Sequence, residues 1–295
     1  MRDRYFIQYP SPFFCSFFLL LTFFRAFAYT VSMSATYTHY LVAARAFSRL
    51  PFAIQTVIEP HFPLYFFGAQ GADFCFFYRF LRPKTKNLGS YLHRQGGYDA
   101  FCVLNKLSAR SLGLFAYSLG FITHYAADVT FHPFVYAQAG KSALKHSRIE
   151  GAMDVHFRES VLLSERYAPF LRKKLINDEV MQLFTAYSLI ARKCGFPTLQ
   201  LPSFLRAISL FNAYPPITSA IFPSKNSRLF KSAVNAENLP WTHPTSKQEY
   251  MDGANELFER TVDLASELFQ VFCDCVQTRT PPPKTLFGKN YLTGV

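Results

Sequence analysis

Apolar side chains recur at three- and four-residue intervals over most of the sequence, while strand-like alternation is scarce. The pattern predicts a helix over 36–49, stopped by Pro51, and a helix pair over 98–131. That pair is expected to break at Pro133, because proline restricts the residues before it. An amphipathic helix with charges on one side follows over 143–164. Asn177-Asp178-Glu179 reads as the start of another by capping and dipole complementarity, closed by Gly195. A shorter helix covers 202–213. From Ser246 the run "SKQE" reads as a capping box for a helix to about 275. Its apolar positions are Met251, Ala254, Leu257, Phe258, Val262, Ala265, Leu268, Phe269 and Phe272. Residues 51–95 read as loop-rich, and 214–245 as a surface wrap. No internal repeat and no glycine-rich phosphate loop before a strand is visible, so the expected fold is all-α.

Residues 1–32 stand apart from this pattern. Arg2 and Arg4 precede "FFCSFFLLLTFF", and "RAFA" ends at Ala28, the layout of a signal peptide. The apolar block is short for a membrane span. The alternative is translation from Met33. The first reading implies export, the second a cytoplasmic protein; neither places the segment in the fold. The rest, 33–295, is expected to be one helical domain, with candidate ligands in 36–165 and helical completion over 166–280.

Half of the 295 residues are apolar, and 34 are Phe, which is ample for a buried core and argues against disorder. The net charge of +12 favours anionic partners such as phospholipid, phosphate esters or nucleic acid. No Lys/Arg run marks a nucleic-acid arm. The 6 cysteines are scattered and read as core filler.

Candidate chemistry starts in "FITHYAADVTFHP". Asp128 is the only formally charged residue between Arg110 and Lys141, with His124 and His132 four places to either side. Residues four apart share a helix face, so the three form a column. A buried carboxylate is normally paired or metal-bound, although bonding to the flanking imidazoles alone would also satisfy it. A second column, His146, Glu150 and Asp154, follows on the next helix. Imidazole with carboxylate suits zinc. His39, His93 and Asp73 add candidates in apolar surroundings, making five of the chain's 8 histidines. Asp154 reads as a partner orienting a ligand. His61, His156 and His243 read as loop, outward-facing and capping residues.

The pieces "THYL" (38–41), "GAQGADF" (68–74), "LH" (92–93), "HYAAD" (124–128) and "HSRIE" (146–150), in this order, resemble the zinc-dependent phospholipase C family; "LPWTHP" (239–244) resembles a later element of bacterial members. The resemblance implies a single all-α domain, shared with the S1/P1-type nucleases, with two or three zinc ions in a cleft. It implies that Asp73, His93, His124 and Asp128 hold one ion, and His132, His146 and Glu150 another. Asp128 would bridge to a third, also held by His39. In secreted members a Trp amino terminus completes that third site. Here the only Trp is Trp241, and the step from Asp128 to His132 is shorter than in those enzymes.

Such a cluster points to phosphodiester hydrolysis by activated water, with Asp73 and Asp128 as candidate catalytic carboxylates and Asp73 orienting or deprotonating the water. A phospholipid headgroup linkage is the expected substrate, with possible contact at a membrane surface. The aromatic stretch 62–80 reads either as an apolar cleft wall or as core packing. Two other functions fit the same residues: a single-strand nuclease of this fold, or a metal-bearing interaction protein without turnover. Pairing of histidines with carboxylates argues against a haem-binding bundle. Oligomeric state is not legible.

Overall fold

The computed structural model describes residues 36–78, 86–160, 175–218 and 227–295. The segment 1–32 and the last residues of the helix expected over 143–164 lie outside them. The described chain is all-α, apart from an antiparallel pair of two-residue strands, β1 (Trp241–Thr242) and β2 (Glu249–Tyr250). No helix among the described residues is long and apolar enough to cross a membrane.

The axis of the fold is a helix of 28 residues spanning Leu112–Ala139. It is apolar on all sides, which is the signature of a helix surrounded by others. Ser111 caps its start by accepting a hydrogen bond from the Leu114 amide (3.2 Å). Gly140, at φ 59°, closes its end, a backbone geometry that suits glycine.

In chain order the elements are α1 (Thr36–Ser48), α2 (Phe52–Ile58), α3 (Phe62–Gly68), a 3-10 turn (Asp73–Phe77), α4 (Leu88–Tyr91), a π turn (Leu92–Gly96), α5 (Gly97–Ser108) and the axial α6. Then come α7 (Ala143–Ser160), α8 (Asn177–Lys193), α9 (Leu201–Thr218), α10 (Arg228–Ala233), the strand pair, α11 (Ala254–Thr278) and α12 (Lys284–Phe287).

Two apolar clusters form the core. Phe47, Phe62, Tyr65, Phe74, Phe101, Tyr117, Phe121 and Tyr187 belong to the larger. Leu41, Phe131, Phe134, Ile149, Phe157 and Phe258 belong to the smaller. Helix α6 runs through both, and His124, Asp128 and His132 fall where it passes from one to the other. The residues that carry chemistry therefore sit at the seam of the core.

Several expectations are corrected. The described residues of 51–95 are built largely of short helices; Pro60 and Pro63 occupy first-turn positions where the missing N–H costs nothing. Of the two readings open for the aromatic stretch, core packing holds over 62–74, where Phe62, Phe66, Phe67 and Phe74 are buried. Pro133 does not end α6, which continues to Ala139. Helix α9 reaches Thr218, well into the expected surface wrap. "SKQE" is no capping box: Ser246 to Tyr250 turn back into β2, and α11 begins at Ala254 with Glu256 accepting from the Gly253 amide (2.9 Å). Met251 is accordingly exposed, while Leu257, Phe258, Val262, Leu268, Phe269 and Phe272 are buried as their spacing requires. At α8 the box-like bond comes from Glu179, which accepts from the Ile176 amide (2.8 Å).

The tightest helix crossing is glycine-mediated. A Cβ on Gly120 would lie 1.9 Å from the Tyr65 carbonyl oxygen, and one on Gly68 would lie 2.3 Å from that of Tyr117. Both neighbours are backbone and cannot swing aside. Gly120→Ala is therefore expected to destabilise the fold by about 1–3 kcal/mol through overpacking, read as a lower urea midpoint.

Candidate metal centre

Five segments deliver the side chains. Helix α1 brings His39, and the 3-10 turn brings Asp73. The π turn brings His93, α6 brings His124, Asp128 and His132, and α7 brings His146 and Glu150. All eight are buried. Gly71, at φ 55°, makes room for this packing, since a Cβ there would meet the His124 ring at 2.0 Å. The structure thus gathers all the proposed ligands; the separate residues His61, His156 and His243 stay outside the groups. His156 bonds Asn255 (2.9 Å), and His243 Nδ1 accepts from the amides of Thr245 (3.1 Å) and Ser246 (3.0 Å).

Three ligand groups form: His39, Asp73 and His124; His93, His124 and Asp128; His132, His146 and Glu150, with the ligand atoms of each within 4.8 Å of one another. His93 Nε2 lies 3.0 Å from Asp73 Oδ1, 3.5 Å from Asp128 Oδ2 and 3.3 Å from His124 Nε2. His124 Nε2 is 3.2 Å from Asp128 Oδ2. The other oxygen, Oδ1, faces His39 Nε2 (3.6 Å) and His132 Nδ1 (3.8 Å). Glu150 Oε1 is 2.9 Å from His146 Nε2 and 3.4 Å from His132 Nε2.

These separations fit a cation. Tetrahedral zinc with bonds of about 2.0–2.1 Å sets its ligands roughly 3.3 Å apart. Asp128 Oδ2 is buried with no hydrogen-bond partner among the described residues, although two imidazoles crowd it. No Lys or Arg forms an ion pair with Asp128 among those residues. His93 and His132 present Nε2 to the cluster because their other nitrogens are engaged. Nδ1 of His93 meets the Gly89 carbonyl (2.7 Å), and Nδ1 of His132 meets that of Tyr291 (3.0 Å). Such outer bonds fix the ring tautomer that exposes the ligating lone pair.

Electrostatics agree. Burial and the neighbouring His39, His93 and His132 hold the His124 imidazole well below its ordinary pKa, so it stays neutral. Glu150 is buried, which alone would raise its pKa, yet His146 and His132 hold its carboxyl well below the usual range. Burial lowers His132 too, but Asp128 and Glu150 outweigh it and push it up to about 9 in the metal-free chain. Exposure is graded across the cluster: the Asp73 side chain is 12% exposed and His124 only 1%.

A family model described as zinc dependent phospholipase C matches residues 38–194. The chain belongs to this zinc-dependent phospholipase C family. All eight residues of the cluster fall inside the matched span, and the all-α architecture agrees with the family. Searches of curated proteins and of solved structures gave no match. The family is one of zinc-dependent hydrolases acting on phosphodiesters, with phospholipid as the implied substrate.

Asp154 differs from expectation. Among the described residues its hydrogen bonds go to α1: its carboxylate accepts from the amides of Tyr37 (3.1 Å) and Thr38 (2.9 Å) and from the Thr38 hydroxyl (2.7 Å). It satisfies the first turn of α1 from α7, one residue before His39. Sequence spacing did not show this, nor the Tyr291 carbonyl, because both partners lie more than a hundred residues away.

Two predictions follow from these charges. Burial raises the Asp154 pKa to about 7, against the lowering pull of its bonds to Thr38 and Tyr37. Between about pH 4 and that value the native chain retains a proton that the unfolded chain releases. Native stability therefore falls as pH rises through this window. Asp154→Ala should cost about 1–3 kcal/mol and flatten that slope, measured by urea unfolding with chelator at several pH values. His132, raised to about 9, must lose its proton before it can ligate. Zinc uptake should release protons and tighten about tenfold per pH unit below that value, as calorimetry in buffers of different ionisation enthalpy will show.

Proposed function

We propose that this protein is a zinc-dependent phosphodiester hydrolase that cleaves the headgroup linkage of a phospholipid. One observation carries the reading: within the family-matched span, three His/carboxylate groups meet around the buried Asp128, each with spacing that suits zinc. In this reading Asp73, His93, His124 and Asp128 hold one ion, and His132, His146 and Glu150 a second. His39 with Asp128 Oδ1 offers a third position. Zinc supplies Lewis acidity there, making water acidic enough to attack near neutral pH and neutralising phosphoryl charge.

The chain's own groups do the rest. Asp73 is the most exposed carboxylate of the cluster. In this reading Asp73 would orient the attacking water and accept its proton. Asp128 turns its two oxygens in different directions, Oδ2 toward His93 and His124, and Oδ1 toward His39 and His132. It therefore fixes the spacing between ion positions. Phe76 and Tyr136 are half-buried, their rings 4.9 Å from His93 and 4.7 Å from His146. They are apolar neighbours of the cluster that favour a lipid-linked phosphate over a free one.

The test pairs metal content with turnover on phosphatidylcholine vesicles and on single-stranded DNA. Two or three equivalents of zinc with release of phosphocholine is the expected result. Asp73→Asn should lower turnover about 10²–10⁴-fold while far-UV circular dichroism stays unchanged. Cleavage of DNA with the lipid untouched would replace lipid by nucleic acid. Zinc without hydrolysis of either would leave a metal-bearing interaction protein.

A further inference from the structure

The last residues of the chain return to the cluster from outside the family-matched span. The amide of Tyr291 donates to the His93 carbonyl (2.9 Å), and its own carbonyl accepts from His132 Nδ1 (3.0 Å). One residue thus touches two proposed ligands with its main chain alone. Its fully buried ring packs on His93 (5.2 Å), His124 (6.1 Å) and Tyr125 (4.9 Å). The approach is built in on the facing side, since a Cβ on Gly97 would lie 2.5 Å from the Tyr291 ring.

The segment is anchored at both ends. Before Tyr291, Phe287 is buried against Phe101 (4.9 Å) and Phe272 (6.2 Å). The Tyr125 hydroxyl bridges it by donating to the Leu286 carbonyl (2.8 Å) and accepting from the Lys289 amide (3.1 Å). After Tyr291, Gly294 at φ 68° lies against α6, where a Cβ would come within 2.5 Å of the Val129 carbonyl oxygen. Val129 is the residue four before Pro133, so this carbonyl lacks its usual helical donor. The segment fills the gap that proline leaves, one residue away from His132.

We infer that Leu286–Val295 is a strap that positions the metal ligands, with the Tyr291 main chain holding His93 in its turn and His132 in the tautomer that exposes Nε2. This rests on the zinc reading of the cluster. In this role Tyr291 is a positioning residue, acting through its main chain on His93 and His132. Outer-shell bonds of this kind change metal affinity by about 10–100-fold. By reciprocity, bound metal must tighten the strap by the same factor.

The unaltered full-length chain gives the first test. Amide hydrogen exchange at Tyr291 is expected to slow at least tenfold on adding zinc; an unchanged rate overturns the inference. The second uses full-length Gly294→Val, whose side chain would drive the strap off α6. Zinc affinity by competition with a chelating dye should weaken 10–100-fold. Nitrogen-15 spectra of the zinc-free variant at about pH 10, where the ring holds one proton, should show the His132 proton no longer confined to Nδ1, while circular dichroism retains the helices. Affinity within twofold of the unaltered chain, with the proton still on Nδ1, would sink the idea. A chain that takes up no zinc overturns the zinc reading and this inference together. Normal uptake with an indifferent strap overturns this inference alone.

Discussion

Everything in this structure is arranged around a carboxylate that has no business being buried alone. Asp128 sits in the most apolar of the long described helices, with imidazoles and no guanidinium or ammonium as ionic partners among the described residues. Taking such a charge out of water costs several kcal/mol or more unless opposite charge is supplied nearby. Imidazoles can supply it only by holding protons: against burial, Asp128 and Glu150 push His132 up to about 9, while burial and its three imidazole neighbours keep His124 neutral. Divalent cations would resolve this conflict, satisfying Asp128 Oδ2 and relieving the facing nitrogen lone pairs together.

The surrounding packing makes that solution rigid. Glycines at 68, 71 and 120 bring α3 and the following turn against α6 at distances no side chain would allow. Tyr117 and Tyr187 each donate to the Gly71 carbonyl (3.2 Å), so the turn before Asp73 is held from two helices. A large aromatic core therefore fixes the backbone on which the ligands stand. Ligand geometry set by a close-packed interior needs little reorganisation when a cation arrives.

What the sequence revealed follows the range of the forces involved. Helical period is local, so α1, α6, α7 and the apolar face of α11 were legible, as were the His124–Asp128–His132 and His146–Glu150 columns. The ordered family motifs supplied the grouping that period alone could not. Non-local compensation was illegible. Pro133 looked like a helix end because the strap residue that packs on its orphaned carbonyl lies at 294. Asp154 looked like a ligand's neighbour because Thr38, its real partner, is 116 residues away. "SKQE" carried the residues of a capping box, but pairing of Trp241 with Tyr250 claimed the segment for a hairpin. The aromatic stretch after Pro51 was ambiguous for a different reason: its helices are only a turn or two long, too short for a period to show.

The bond from Asp154 to Thr38 also has a topological meaning. It pins together two points of the chain, and all eight clustered donors, from His39 to Glu150, lie on the arc between them. Cutting the backbone on that arc would divide the donors between fragments; cutting after Asp154 would leave them on one piece. The natural place to open the molecule for permutation or insertion is thus beyond the arc, at a point that keeps the strap, α8 and α11 in reach.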